Sequence, residues 1–97
     1  MKPKITEDCP IARVATLLSD TWTMLVLRDL LKAPMRYCEL EDSLSGISTR
    51  TLALKLKMLE VNGIIAKKSN YYAPTAKGKK LGAILSEMTK YGKKYLK

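Results

Sequence analysis

Ser48-Thr49-Arg50-Thr51 places three hydroxyls and a guanidinium at the leading end of an apolar-periodic stretch. Their shared chemistry is hydrogen-bond donation to a phosphate or to the edge of a base. Arginine can bond guanine O6 and N7 bidentately, and a good pair contributes roughly 1–3 kcal/mol of discrimination against the wrong base. Arg50 is therefore the best single candidate for base readout. Ser48, Thr49 and Thr51 can donate to phosphate or base. Arg36, Lys55, Lys57, Lys67 and Lys68 suit phosphate contacts, which position a protein without specifying sequence. For any one lysine, a solvated face is the plain alternative.

These groups need a scaffold, and residues 44–65 supply it. Gly46 provides a tight turn. Ser48 is a good N-cap, because its hydroxyl can accept from an orphan backbone N–H. Leu52, Leu56 and Leu59 recur at i, i+4, i+7 and so give the helix a core face. Asn62-Gly63 ends it, with Gly63 suited to the left-handed position beyond. A short capped helix over 48–62, entered from a glycine turn, has the form of a recognition helix in a DNA major groove. Leu54, Met58 and Val61 make a second apolar stripe roughly opposite the first. Leu54 could touch a thymine methyl, or the stripe could dock another protein.

Charge supports a polyanion partner. The 97 residues carry a net +9, very unevenly spread. Residues 1–48 hold six basic and seven acidic side chains, and residues 49–97 hold twelve basic against two acidic. Such segregation points to nucleic acid, with a merely soluble surface or a membrane-surface helix as the alternatives. Apolar content of 46% and charged content of 28% describe a globular chain, since a disordered one carries too few apolar groups for a core. No apolar run of about 18 residues exists to span a membrane. The first residues lack an apolar h-region, so no signal peptide is expected. A cytoplasmic, nucleoid-associated location follows as an expectation. Two cysteines and no histidine argue against a disulfide framework, a metal site or a histidine base. No phosphate loop or paired-carboxylate site appears, so neither a cofactor nor an enzyme is expected.

The chain then reads as a flexible arm over 1–8 and one domain over 9–97. Cys9-Pro10 opens the first helix, proline being tolerated in the first turn. Ile11, Val14, Ala15 and Leu18 form its stripe, widened by Leu17. A second helix over Thr21–Lys32 is apolar on nearly every side and should be central, with Trp22 as a core anchor. Pro34 stops it. Met35-Arg36-Tyr37 suits a short strand, and 38–44 a short helix, completing a helix-turn-helix. Residues 64–68 and Tyr71–Pro74 flank Ser69-Asn70 as a tight hairpin, Asn being tolerant of positive φ. A basic hairpin in this position is a wing. Thr75 caps a last helix over 76–96 whose stripe is Leu81, Ile84, Leu85, Met88, Tyr91 and Tyr95. The far half exceeds what a small domain needs, so it reads as a dimer seam, or as a basic amphipathic helix on a membrane. Cys9 stands at a helix N-terminus, a position that favours thiol reactivity, with Arg13 one turn on. Cys38 reads as a small buried hydrophobe.

Ordered landmarks over residues 9–92 match a family. They are Cys9-Pro10; Trp22-Thr23; Leu25 through Leu31 enclosing Arg28-Asp29; Pro34; Arg36-Tyr37; and Glu39-Leu40. Gly46-Ile47-Ser48, Leu52, Leu56, Leu59-Glu60, Asn62-Gly63-Ile64, Tyr72, Pro74-Thr75, Gly78 and Tyr91-Gly92 follow. The chain resembles the HxlR-type winged helix-turn-helix transcriptional regulators of bacteria and archaea, relatives of the MarR regulators. The resemblance implies a homodimer built from the first and last helices, through Ile11, Leu18, Leu85, Met88, Tyr91 and Tyr95. It also implies a recognition helix in the major groove of each operator half-site. Some members of the family sense thiol-reactive compounds through the cysteine that matches Cys9. This chain departs from the family in its short wing, in the apolar Leu54 and Met58, and in Cys38. The expected protein is thus mainly α with a small β-hairpin wing, a homodimeric regulator of double-stranded DNA. The rivals on the same fold are an adaptor that binds protein at Leu54, Met58 and Val61, and a sequence-indifferent DNA-binding protein.

Overall fold

In a computed structural model residues 9–96 are described. The arm expected over 1–8, and the final lysine, lie outside the described residues. The elements run α1 (Pro10–Leu17), α2 (Thr21–Lys32), β1 (Met35–Arg36), α3 (Tyr37–Ser43), α4 (Thr49–Val61), β2 (Ile65–Lys68), β3 (Tyr71–Pro74), α5 (Ala76–Lys79) and α6 (Leu81–Tyr95).

α2 is the central element, as its apolar run requires. Val26, Leu27 and Leu30 are buried at its centre. Around them close Leu40 and Leu44, then Leu52, Leu56 and Leu59 of α4, Ile64, Ile65, Tyr72 and Leu81. Trp22 packs partly buried against this cluster. Among the described residues the core has one ionic member, which looks in sequence like a solvated interruption: Asp29 is buried. Its Oδ1 accepts from Arg28 Nε at 3.0 Å and its Oδ2 from Ser43 Oγ at 2.6 Å. A carboxylate can stay inside only when its lone pairs are satisfied in this way. Here it fastens the end of α3 to α2.

The wing is larger than the expected hairpin. β1 joins it, giving a three-stranded antiparallel sheet in the order β1-β3-β2. The register pairs Met35 with Tyr72 and Arg36 with Tyr71, and on the other side Lys67 with Tyr72 and Lys68 with Tyr71. In the two-residue loop, Ser69 takes the positive φ of 57°; Asn70, the residue expected to do so, does not.

The last helix comes in two pieces. Thr75 Oγ1 donates to Gly63 O at 2.6 Å and accepts from Gly78 N at 3.1 Å. Gly78 lies so close to the Ile64 carbonyl that a Cβ would sit 2.0 Å from its oxygen. α5 is thereby pinned to the start of β2, and α6 begins just past Lys80. Leu81 is the one buried residue among those described in α6. α1 buries none of its residues, and only Leu18, just past its end, enters the core.

Candidate nucleic-acid interface

α4 is placed by polar ties at both ends of its first two turns. Ser48 Oγ accepts from Thr51 N at 3.0 Å and donates to Thr51 Oγ1 at 2.8 Å. Tyr37 Oη donates to Thr49 O at 2.5 Å, joining the start of α3 to the start of α4. Burial, with the Glu41 charge adding to it, holds the Tyr37 phenol above its ordinary pKa, so it stays a neutral donor. Thr49 Oγ1 donates to Glu41 Oε2 at 2.8 Å.

One turn further, Lys55 Nζ reaches Asp20 Oδ2 at 2.9 Å. Asp20 is also the N-cap of α2: its Oδ1 accepts from Thr23 N at 2.9 Å and its Oδ2 from Thr23 Oγ1 at 3.0 Å. Burial pushes the Asp20 carboxyl up, but the Lys55 bond and the two Thr23 donors outweigh it and leave the group below its ordinary value.

The sequence-predicted contacts therefore divide. Lys55 turns inward to Asp20 rather than outward, because it shares the side of α4 that packs toward α2. Thr49 is engaged by Glu41, and Ser48 and Thr51 serve the cap. The outward face of α4 is formed by Arg50, Ala53, Leu54, Lys57 and Val61, all exposed. Met58, grouped with Leu54 and Val61 in sequence, is instead partly buried against the core.

The wing residues also separate. Directly opposed residues of antiparallel strands share a face, and successive residues alternate. Arg36, Tyr71 and Lys68 thus form one exposed row across the sheet. Lys67 lies in the neighbouring row with Met35 and Tyr72, its Nζ 5.7 Å from the Tyr72 ring centroid. Tyr71 is a member of this surface that sequence reasoning misses. The two-residue strand period gives the opposite facing of Lys67 and Lys68, but the pairing of β1 with β3 has no local signal.

Of the residues assigned to a seam, Ile11, Met88, Tyr91 and Tyr95 are exposed, at 80% for Ile11 and 60% for Tyr95. Leu85 is half-buried against the core, and Leu18 is buried within the subunit. Between α1 and α6 runs an open groove of about 510 Å³, walled by Pro10, Ile11, Val14, Leu18, Met24 and Met88. Cys9, the residue before Pro10 of this wall, is exposed and N-caps α1, its Sγ accepting from Ala12 N at 3.4 Å. Cys38, expected to pack inside, is exposed; it sits on the outer side of α3, whose inward side is taken by Leu40.

A helix-turn-helix with its second helix exposed along one face, followed by a basic antiparallel wing, defines a winged helix-turn-helix DNA-binding protein. The chain belongs to the HxlR-like helix-turn-helix family, whose model matches residues 17–97. It is 41% identical over 96 residues to sll1512 of Synechocystis sp., an uncharacterized HTH-type transcriptional regulator, covering 91% of this chain and 70% of that one. Among solved structures, a MarR-family transcriptional regulator from Porphyromonas gingivalis W83 superposes with a TM-score of 0.88 at 29% identity, covering 98% of this chain and 100% of the other. The quinone-bound form of YodB from Bacillus subtilis gives 0.82 at 31% identity, over 90% and 99%. This chain is a DNA-binding transcriptional regulator of the helix-turn-helix type. None of its described helices is long and apolar enough to cross a membrane.

Proposed function

We propose that the chain binds an operator as a homodimer, at the chromosome in the cytoplasm, with α4 of each subunit in the major groove. The observation that carries this reading is the outward face of α4, where Arg50 and Lys57 stand clear of the ties that hold the helix. Arg50, near the helix start, is the base reader. Arg36 and Lys68, with Tyr71 between them, contact phosphate from the wing sheet, and Lys57 does so from the helix. Lys67 is a lesser contact because its ammonium is drawn over Tyr72. Lys55 and Thr49 act by positioning α4.

A homodimer is favoured by the apolar groove between α1 and α6. An isolated helix of eight residues is marginal in water, and α1 buries none of its own residues. A second copy covering Ile11, Val14, Met88 and Tyr91 supplies the missing cover and sets two recognition helices one helical turn of DNA apart.

The test is fluorescence anisotropy of the protein on DNA from upstream of its own gene against scrambled DNA, at low and near-physiological salt. The expected result is a preference of about 10³-fold or more for the upstream DNA, most of it abolished in Arg50→Ala. Equal binding to scrambled DNA would mark a sequence-indifferent protein and overturn the reading, and so would no binding at either salt.

A second reading concerns Cys9, exposed beside the groove that a partner subunit would cover. YodB, at 33% identity, has been solved in quinone-bound and diamide-treated forms. We infer that modification of the Cys9 thiol alters the seam and so the affinity for the operator. Cys9→Ser should then bind DNA and lose any response to diamide, while Cys38→Ser should keep it. A response that survives in Cys9→Ser overturns this reading.

A further inference from the structure

The outward face of α4 is not uniformly polar. At about 100° per residue, Arg50, Lys57 and Val61 project within about 20° of one direction, with Leu54 about 40° to one side and Ala53 about 60° to the other. The buried Leu52, Leu56 and Leu59 point the opposite way. Leu54 is 59% exposed and lies outside the core cluster. Val61 is 73% exposed, but it stands about 10 Å beyond Leu54 along the axis, at the trailing end. The apolar surface on the leading half of the helix is therefore Ala53 and Leu54 alone. Arg50 lies about 6 Å before Leu54 and Lys57 about 4.5 Å after it.

Whatever covers this pair must also neutralise the two cations that bracket it. An apolar protein surface would bury Arg50 and Lys57 without counter-charge, which is costly. A major groove edge bearing a methyl group, flanked by phosphates, meets both demands, and thymine is the base that presents one there. We propose that Ala53 and Leu54 contact the C5-methyl of thymine, so that each half-site carries a thymine within about two base pairs of the guanine read by Arg50. The spacing follows from the helix rise of about 6 Å against base pairs about 3.4 Å apart. This proposal rests on the reading of α4 as the helix that enters the major groove.

The experiment enriches duplexes from a random-sequence library on the full chain. The enriched duplex is then resynthesised with deoxyuridine at each thymine in turn, which removes only the methyl. The expected motif has thymine within two base pairs of guanine, and uracil at one or two of these positions weakens binding about fourfold, the effect of one buried carbon. Leu54→Ala, which alters both half-sites at once, should bind the thymine duplex weaker by about fourfold per half-site and lose most of its discrimination between thymine and uracil there. Its unfolding temperature should match the parent, since the side chain lies outside the core, and Leu54→Met should retain discrimination. An enriched motif with no uracil penalty, or a penalty undiminished in Leu54→Ala, overturns the methyl contact and leaves the reading of α4 intact. Failure to enrich any motif overturns both, and assigns the Ala53–Leu54 surface to a protein.

Discussion

Lys55 Nζ lies 2.9 Å from Asp20 Oδ2, and this one contact joins the recognition helix to the N-terminus of the central helix. Asp20 cannot be moved without uncapping α2, because the same carboxylate accepts from Thr23. The angle between α2 and α4 is thus held by a group that also initiates α2. With Tyr37 on Thr49, it fixes the leading half of α4 from both sides before any DNA arrives. Preordering of this kind lowers the entropic cost of binding.

Asp20→Ala should lower stability by about 1–2 kcal/mol, chiefly through removal of the cap. Asp20→Asn keeps a good capping group and should cost less. The ion pair itself contributes little, because both partners are partly exposed and solvent screens them. Acid titration separates the two roles. The folded carboxyl lies below its ordinary value of 3.8, so the unfolded state binds more protons in this range. Its contribution is complete above about pH 4 and disappears as pH falls through the folded value. Urea unfolding followed between pH 5 and pH 2 should show a shallower acid decline in Asp20→Asn. An unchanged decline would remove Asp20 from the acid response.

The salt dependence of DNA binding should sort the cations. Each phosphate that a variant can no longer neutralise reduces the slope of log K against log salt by about 1. Arg36→Ala, Lys57→Ala and Lys68→Ala should each reduce it, doubly so in a homodimer. Lys55→Ala should leave the slope unchanged while weakening binding to all sequences modestly through the loosened helix. If Lys55→Ala reduces the slope as much as Lys68→Ala, Lys55 leaves Asp20 for phosphate in the complex.

The order of elements is legible in sequence because it rests on local signals. Pro34, Gly46, Ser48 and Asn62-Gly63 mark boundaries that the structure places within a residue or two. The core face of α4 follows from the spacing of Leu52, Leu56 and Leu59. What escapes depends on contacts between distant residues. The pairing of Arg36 with Tyr71 spans 35 positions and follows no periodicity. Asp29, in the middle of an apolar helix, gives no sign that Ser43 will satisfy it. Lys55 and Lys57 stand about 200° apart around α4, but only the packing of α4 on α2 gives Lys55 its partner, Asp20. The break at Lys80 is hidden because Gly78 and Gly82 look alike in a helical pattern, although only Gly78 has a carbonyl against it.

That contrast gives a paired prediction. A Cβ on Gly78 would sit 2.0 Å from the backbone oxygen of Ile64, while one on Gly82 meets only Leu31 Cδ2 at 3.9 Å. Gly78→Ala must push α5 off the α4–β2 junction and break the Thr75 bonds, so a cost of about 3 kcal/mol or more is expected. Gly82→Ala should be neutral or stabilise by up to about 1 kcal/mol, as alanine does in a helix interior. Thermal unfolding of the two variants measures the difference directly. Equal melting temperatures would mean that α5 docks loosely.

The proposed seam makes the last prediction, and it turns on how little each subunit covers of its own α1 and α6. Ile11 and Met88 line one groove and are exposed by 80% and 46%. An isolated subunit would leave this contiguous apolar surface in water, which monomeric proteins rarely do. Ile11→Glu or Met88→Glu places a charge where a second copy would bury it. Either should convert a dimer into a monomer in sedimentation velocity without unfolding the domain, because neither side chain belongs to the core. DNA affinity should fall by far more than when any single phosphate-binding cation is removed, since each half-site alone holds one recognition helix. Yet the Arg50-dependent preference for one sequence over another should persist in the monomer at low salt, because base readout resides within one subunit. A monomeric parent, or a Met88→Glu variant that stays dimeric, would move the interface away from the α1–α6 groove.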